Sequence, residues 1–187
     1  MKISEETRSI LKNFATINSG IKVGTGNQLQ TISNMKNILA TANVPETFSQ
    51  EFSIYNLVEF LGAVSLLDNP DFNFNDSSLS ISDTDTSMTY FYASEGMVTS
   101  PDKMITMPDA EIKVDLSSTL LNELQKAASV LGVNDLQLVS DGTNIKLVVT
   151  DKKNTTSNTF SRIVGEGNGV SFTMNFKIEN LKILDGN

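Results

Sequence analysis

The feature that most constrains this fold is an order of elements that occurs twice along the chain. An amphipathic helix, a set of alternating strands and a second helical pattern are predicted before residue 100 and again after residue 110. A helix with one apolar face needs another layer of structure to cover that face. The sequence therefore predicts an α+β protein with two similar domains, each with two helices packed on an antiparallel sheet.

The first helix is predicted over residues 4–20, where it leads into a turn. Ser4 can accept a hydrogen bond from a free amide of the first turn, and the two glutamates after it place negative charge at the positive end of the helix dipole. Arg8 and Lys12 lie one turn apart, on a different face from the apolar stripe. That face is either ordinary solvated surface or a pair of positive charges for an anion. The apolar stripe consists of Ile3, Thr7, Ile10, Leu11 and Phe14.

Three further patterns complete the first domain. The strand Ile21–Val23 is predicted to form a hairpin through a glycine-containing turn at residues 24–27. A second helix is predicted over Ile54–Leu67 and ends before Pro70, because proline disfavours a helical residue before it. Residues 71–100 contain three alternating strand patterns, which predict a small meander.

Three carboxylates of this meander are a candidate site for a hard cation. They are Asp76, Asp83 and Asp85. The stretch lacks the glycine and the terminal glutamate of a calcium-binding loop, so polar hairpin turns are the favoured interpretation. No metal ion is expected here.

A proline-containing stretch over residues 101–110 is predicted to connect the domains 1–100 and 111–187. After it, residues 112–114 predict a short strand, and Asp115 or Ser117 can cap a third helix.

The third helix has an apolar face opposite a polar face that carries Lys126, and it is predicted to end at Gly132 in a left-handed cap. An Asp-Gly hairpin at residues 140–144 joins the next two strands, and two more strands follow. A fourth short helix is predicted over Ile178–Leu184, with Lys177 and Lys182 at its edge.

The two cycles differ at their ends. About thirty residues of strand follow the second helix, whereas almost nothing follows the fourth. This comparison predicts that the second domain is incomplete at its C-terminus and has an open strand edge.

Composition excludes several classes of function. The chain has no cysteine and no histidine, which removes disulfides, thiolate sites, cysteine nucleophiles and the commonest general base. The net charge is −8, and no basic residue lies between Lys36 and Lys103, which is unlike a conventional basic DNA-binding protein. No apolar run has the length needed to span a bilayer, and residues 1–4 lead directly into the helix without a signal peptide, so we expect a cytosolic protein.

Four segments together resemble the DNA polymerase sliding clamp of T-even-like bacteriophages. The similarity runs in order along all 187 residues. The segments are LKNFATINSGI (Leu11–Ile21), IYNLVEFLGAVSLL (Ile54–Leu67), SRIV (Ser161–Val164) and NLKILDGN (Asn180–Asn187).

The resemblance implies a fold and a function. Two domains of the DNA-clamp fold would form each subunit, three subunits would close head to tail around duplex DNA, and helices would line the hole. The protein would be a processivity factor without enzymatic activity, acting in the cytoplasm of the infected bacterial host. Family members also carry a further C-terminal strand segment, in agreement with the incomplete second domain.

A positively charged lining would allow sliding, because contacts to phosphates carry no sequence information. The residues expected to face DNA are Arg8, Lys12, Lys126, Lys177 and Lys182. Lys126 falls where the family has an inner-face arginine, whereas Ser129 falls where the family has another basic residue. The second helix has no cation, so its share of the lining should be nearly neutral.

The implied partners are duplex DNA, the phage polymerase, an ATP-driven clamp loader and further copies of the chain, with no membrane and no cofactor. Short apolar tails of the polymerase and loader would dock near the interdomain connector. The candidate docking residues are Val98, Met104, Ile105 and Met107. The alternative for these four residues is that they only cover the domain junction.

Two other functions remain open at this stage. A carboxylate-based hydrolase is disfavoured, because no pair of acids stands out by its spacing. A phage structural β-protein that assembles without binding DNA is the other alternative. A primer-extension assay separates this alternative from a clamp, since only a clamp lengthens the products.

Overall fold

A computed structural model describes residues 1–101 and 108–184 of the chain. The chain divides into two compact units, Met1–Ile105 (unit 1) and Thr106–Asn187 (unit 2). The division falls inside the predicted connector 101–110, most of which lies outside the described residues. The domain boundaries 1–100 and 111–187 stay a prediction.

Unit 1 contains two helices and seven strands among its described residues, all paired antiparallel. The strands form two pairs, β1-β4 and β2-β3, and one meander, β5-β6-β7. In chain order the elements are α1 (Glu5–Ala15), β1 (Ile21–Val23), β2 (Gly26–Ile32), β3 (Leu39–Phe48), β4 (Phe52–Ile54), α2 (Leu57–Val64), β5 (Asp71–Phe74), β6 (Ser78–Ser82) and β7 (Ser87–Phe91).

One apolar core holds unit 1 together. Phe14 of α1 and Leu57 of α2 are buried in it with Leu29, Ile54 and Ile81 from the strands. Burial of a large apolar side chain contributes about 1.5–3 kcal/mol relative to exposure, so this core is what fixes the two helices to the strands. The meander predicted for residues 71–100 is confirmed.

Two predictions in unit 1 are wrong in detail. β1 and β2 do not form a hairpin, because Ile21 pairs with Ile54 of β4, and β2 pairs with β3. A local turn signal does not choose the partner strand, and the β1-β4 pairing buries Ile21 and Ile54 together. The second helix is shorter than Ile54–Leu67, since Asn56 caps it by accepting a hydrogen bond from the Glu59 amide.

Unit 2 contains one α-helix and one four-stranded antiparallel sheet in its described part, with strand order β10-β9-β8-β11. Leu124 of the helix and Val149 of the sheet are fully buried at the centre of its core. The elements are α3 (Ser118–Leu131), β8 (Asp135–Asp141), β9 (Asn144–Thr150), β10 (Phe160–Glu166) and β11 (Ser171–Lys177).

Two predictions in unit 2 are also wrong. Residues 112–114 form no strand, although Ile112 and Val114 pack on the core as extended chain, which their alternation alone does not distinguish from a strand. The fourth helix is only a 3₁₀ turn, Ile178–Asn180, in which Ile178 is buried. A single apolar anchor is satisfied by one turn, so the described residues of unit 2 contain one α-helix rather than two.

Candidate nucleic-acid interface

The cap and the buried stripe of α1 decide which of its side chains face outward. Ser4 accepts a hydrogen bond from the Thr7 amide at 3.2 Å, as the sequence predicts. Thr7, Leu11 and Phe14 are the buried residues of the helix. Lys12 therefore lies on the opposite, exposed face, and it makes no ion pair within residues 1–101 and 108–184.

Arg8 differs from Lys12 although it lies only one turn away. Its Nη1 is 3.0 Å from the Glu5 carboxylate, and only 19% of its side chain is exposed. The Arg8 Nε is buried and has no hydrogen-bond partner. The positive charge of Arg8 is thus neutralised within its own helix, whereas the charge of Lys12 is available at the surface.

A buried carboxylate fixes the N-terminus of α1 to β3. Glu46 accepts hydrogen bonds from the Ser4 amide and from the Thr7 hydroxyl. Burial alone raises the pKa of Glu46, but the hydrogen bonds from Thr7 and Ser4 outweigh burial and leave this pKa below its ordinary value. Glu46 therefore stays charged and holds the helix in place.

The outer face of α2 is nearly free of charge. Glu59 is its charged residue, and Val58 and Leu66 are 63% and 81% exposed. Tyr55, just before the helix, is exposed as well. Among the helices of unit 1, α1 is therefore the one that supplies positive charge.

Lys126 is exposed on α3. Ser117 caps this helix through the Leu120 amide, and Gly132 ends it with φ 67° and ψ 34°, both as predicted. The left-handed conformation of Gly132 is one that a residue with a Cβ adopts at a cost. Leu124 faces the core, so Lys126, two positions later, faces away from it.

Lys182 lies next to the segment that packs along α3. Gln125 Nε2 donates a hydrogen bond to the Leu181 carbonyl at 3.3 Å. The residues that follow these two partners in the chain are Lys126 and Lys182. The structure therefore brings these two predicted DNA-facing residues into the same region of unit 2.

Lys177 is held by a buried acid. Its Nζ lies 2.6 Å from Asp135 Oδ1, and the Asp135 side chain is only 4% exposed. The hydrogen bond from Lys177 holds the pKa of Asp135 below its ordinary value, and the same bond raises the pKa of Lys177. Lys177 thus has a structural partner, which its sequence position did not reveal.

Sequence reasoning missed both buried acids, Glu46 and Asp135. For Glu46 a signal exists, because it alternates with Val44 and Phe48 along β3 and so points to the core side. A charged residue at such a position indicates a buried polar network. For Asp135, which opens β8, no comparable signal exists.

The candidate docking residues lie at the end of unit 1. Val98 is half-buried, and its Cγ2 packs against Gly20, 3.1 Å from where a Cβ would stand. It also borders an open cleft of about 790 Å³, which the ion pair Lys22–Glu51 (2.9 Å) lines as well. Met104, Ile105 and Met107 lie outside the described residues.

The carboxylates of the meander serve the backbone. Asp83 accepts hydrogen bonds from the amides of Asp68, Asp85 and Thr86, and the bond from Asp68 is the largest cause of its lowered pKa. Over residues 1–101 and 108–184, no three acidic, histidine or cysteine side chains cluster in a way that fits a metal ion. In the same residues, no helix has both the length and the apolar character to cross a membrane.

The chain is similar to phage sliding clamps over nearly its whole length. It is 33% identical to the sliding clamp of Vibrio phage KVP40, covering 99% of this chain and 87% of that protein. It is 29% identical to the sliding clamp of Enterobacteria phage T4 and 28% identical to that of Escherichia phage RB69, and in both cases it covers 85% of the relative. No protein-family model matches the chain.

Solved structures of clamps have the same fold. The proliferating cellular nuclear antigen (PCNA) of Entamoeba histolytica aligns with a TM-score of 0.60 at 15% identity, over 94% of this chain and 78% of that one. PCNA from A. fulgidus aligns with a TM-score of 0.66 at 11% identity, over 97% and 79%. The Helicobacter pylori beta clamp aligns with a TM-score of 0.61 at 16% identity, over 97% of this chain and 56% of that one. These likenesses confirm the predicted α+β clamp fold.

Proposed function

The chain belongs to the sliding clamp family of phages KVP40, T4 and RB69, and we propose that it encircles duplex DNA and tethers the replicative polymerase to its template. The observation that carries this proposal is the 33% identity to the KVP40 sliding clamp across 99% of the chain. Copies of the chain would close into a ring, a homotrimer as the resemblance implies.

The mechanism needs closure for residence and weak contacts for movement. A closed ring cannot leave DNA sideways, so its contacts with DNA need not be strong. Phosphate contacts by lysines are independent of sequence, so the ring can move along the duplex without a preferred position. A net charge of −8 per subunit keeps the outer surface from binding DNA non-specifically.

Among the cations proposed to face DNA, Lys12 and Lys126 are the strongest candidates. Both are exposed on helices, on the side away from the core. Lys182 joins them through its position beside α3. Arg8 and Lys177 contribute less in this proposal, because Glu5 and Asp135 already neutralise them.

The proposed protein partners are the phage polymerase and the clamp loader. The C-terminal region of FEN-1 is bound to PCNA in the A. fulgidus structure, and a DNA ligase peptide is bound to an H. pylori beta clamp. By analogy, we propose that apolar tails of the partners dock at the surface that begins at Val98 and continues through Met104, Ile105 and Met107. The protein would act without catalysis, in the cytoplasm of the infected host.

Primer extension tests the proposal directly. A primed single-stranded circle is copied by the polymerase of a T4-like phage with its clamp loader and ATP, at a polymerase concentration that permits one binding event per template. We expect longer products with this chain than without it, and no lengthening when the loader is omitted. Products of unchanged length with an active loader would contradict the proposed function.

A further inference from the structure

A lysine-containing loop extends the surface of α3 at one end of unit 2. Residues 151–159 join β9 to β10, the two strands on which α3 packs. Thr150, the last residue of β9, pairs with Asp135, which follows shortly after the α3 cap Gly132. The loop therefore begins at the C-terminal end of the helix that carries Lys126.

The backbone of this loop is ordered by its own hydrogen bonds. The Lys152 amide donates to Asp135 Oδ2 at 3.0 Å, and the Lys153 amide donates to Asp151 Oδ1 at 3.0 Å. The Asp151 amide donates to Ser157 Oγ, also at 3.0 Å. Because these bonds already order the backbone, a ligand that binds the lysines has little more chain to order.

The charges around the loop leave its two lysines available. Lys152 and Lys153 are exposed and make no ion pair within the described ranges 1–101 and 108–184. The nearest acids are engaged, since Asp135 binds Lys177 and the Lys152 amide, and Asp151 accepts from the Lys153 amide. This end of unit 2 therefore presents positive charge in a chain that is acidic overall.

The rest of the loop has the composition of a phosphate-binding surface. Its other exposed side chains are Asn154, Thr155, Thr156, Asn158 and Thr159. Lysine, asparagine and threonine are typical contacts of DNA phosphates, whereas contacts that dominate protein–protein binding are enriched in Trp, Tyr and Arg. The loop contains none of those three residues and no aliphatic residue.

We propose that loop 151–159 is a second DNA-binding surface, in which Lys152 and Lys153 contact phosphates of the duplex beyond the end of α3. This inference rests on the proposed function, because it assumes that the outer face of α3 is directed toward DNA. The contacts are independent of base sequence, so they strengthen residence without stopping movement. They also make binding more dependent on salt, because each phosphate contact releases counterions.

Binding of the full-length chain to a fluorescent 30-base-pair duplex tests the inference. Anisotropy is measured from low to moderate NaCl for the natural protein, for Lys152→Gln with Lys153→Gln, and for the control Lys2→Gln with Lys113→Gln. Lys2 and Lys113 are also exposed, so both double variants lose the same charge. Far-UV circular dichroism and thermal unfolding confirm that both variants are folded.

The slope of log K against log salt separates the outcomes. Loss of two phosphate contacts flattens this slope by about 1.8, and we expect that change in the loop variant but not in the control. Equal slopes for the loop variant, the control and the natural protein would overturn the inference while leaving the proposed function intact. No binding by the natural protein would overturn the inference together with the DNA contact on which it rests. As an independent readout, amide NMR shifts of residues 151–159 should move on addition of the duplex.

Discussion

Thr7 of α1 donates its hydroxyl hydrogen to the carboxylate of Glu46 in β3, across 39 residues of sequence. Both residues are buried, so the contact is a fixed joint between the helix and the strand. The same carboxylate accepts the Ser4 amide at the start of the helix. The helix that presents Lys12 is therefore positioned by an acid on a distant strand as well as by its own cap.

The substitution Glu46→Gln should destabilise unit 1. The amide keeps the size of the side chain but loses the charge and one acceptor oxygen, and a buried partner left unsatisfied costs about 1–3 kcal/mol. Chemical denaturation monitored by circular dichroism measures this change. The matched control is Ser9→Ala on the exposed face of α1, which should change stability by less than about 0.5 kcal/mol. Equal stability of the two variants would contradict the role of Glu46.

The same carboxylate predicts a pH dependence. The pKa of Glu46 is lowered in the folded protein, so its stabilising contribution is fully present above the ordinary value of 4.5 and is lost as the pH falls through the lowered value. Stability measured between pH 6 and pH 3 should therefore fall less steeply in Glu46→Gln than in the natural protein. Parallel pH profiles for the two proteins would be inconsistent with a lowered pKa.

The ion pair of Asp135 and Lys177 should respond unequally to removal of its two partners. Asp135→Ala leaves the Lys152 amide and Lys177 without their acceptor inside unit 2, with an expected cost of about 1–3 kcal/mol. Lys177→Gln should cost less, because Lys177 is partly exposed and the Lys152 amide keeps its bond to Asp135. Thermal unfolding compares the variants, and a larger loss for Lys177→Gln would show that the charge of Lys177 matters more than the buried acid.

Lys12 and Arg8 should differ in DNA binding although both are cations of one helix. Lys12→Gln should flatten the salt dependence of duplex binding by about 0.9 in the slope, which corresponds to one phosphate contact. Arg8→Gln should change that slope less, since Glu5 already neutralises Arg8. A larger effect of Arg8→Gln would mean that the pair with Glu5 opens when DNA binds.

Gly167 and Gly165 offer a test of close backbone packing in unit 2. A Cβ at Gly167 would stand 2.5 Å from the Gly142 carbonyl oxygen, whereas a Cβ at Gly165 would meet nothing closer than 3.9 Å. Gly167→Ala should therefore cost about 1–3 kcal/mol through overpacking. Gly165→Ala serves as the control and should have a much smaller effect on the unfolding midpoint. Similar midpoints for both variants would contradict the close approach of these two loops.

The sequence was sufficient for features that depend on neighbouring residues. Ser4 and Ser117 as caps, Gly132 as the left-handed end of α3 and the Asp141–Gly142 hairpin are all confirmed, because each follows from local hydrogen bonding or backbone freedom. The pairing of β1 with β4 was missed because it depends on which distant apolar residues are buried together.

The site shows the same limit. The sequence gives Arg8, Lys12 and Lys177 equal standing as cations, since charge is all that it reveals about them. Their availability depends on Glu5 and on the buried Asp135, and the latter contact joins residues 42 positions apart. Side-chain pairing across the fold therefore decides which predicted cation reaches the surface unopposed.

Retention on circular and linear DNA tests the central claim most directly. The chain is loaded by a phage clamp loader onto a nicked circular duplex, separated from free protein by gel filtration, and the circle is then cut once with a restriction enzyme. A ring that encircles DNA should stay with the intact circle and be lost from the free ends after the cut. Equal retention on circular and linear DNA, or none on either with an active loader, would contradict the account.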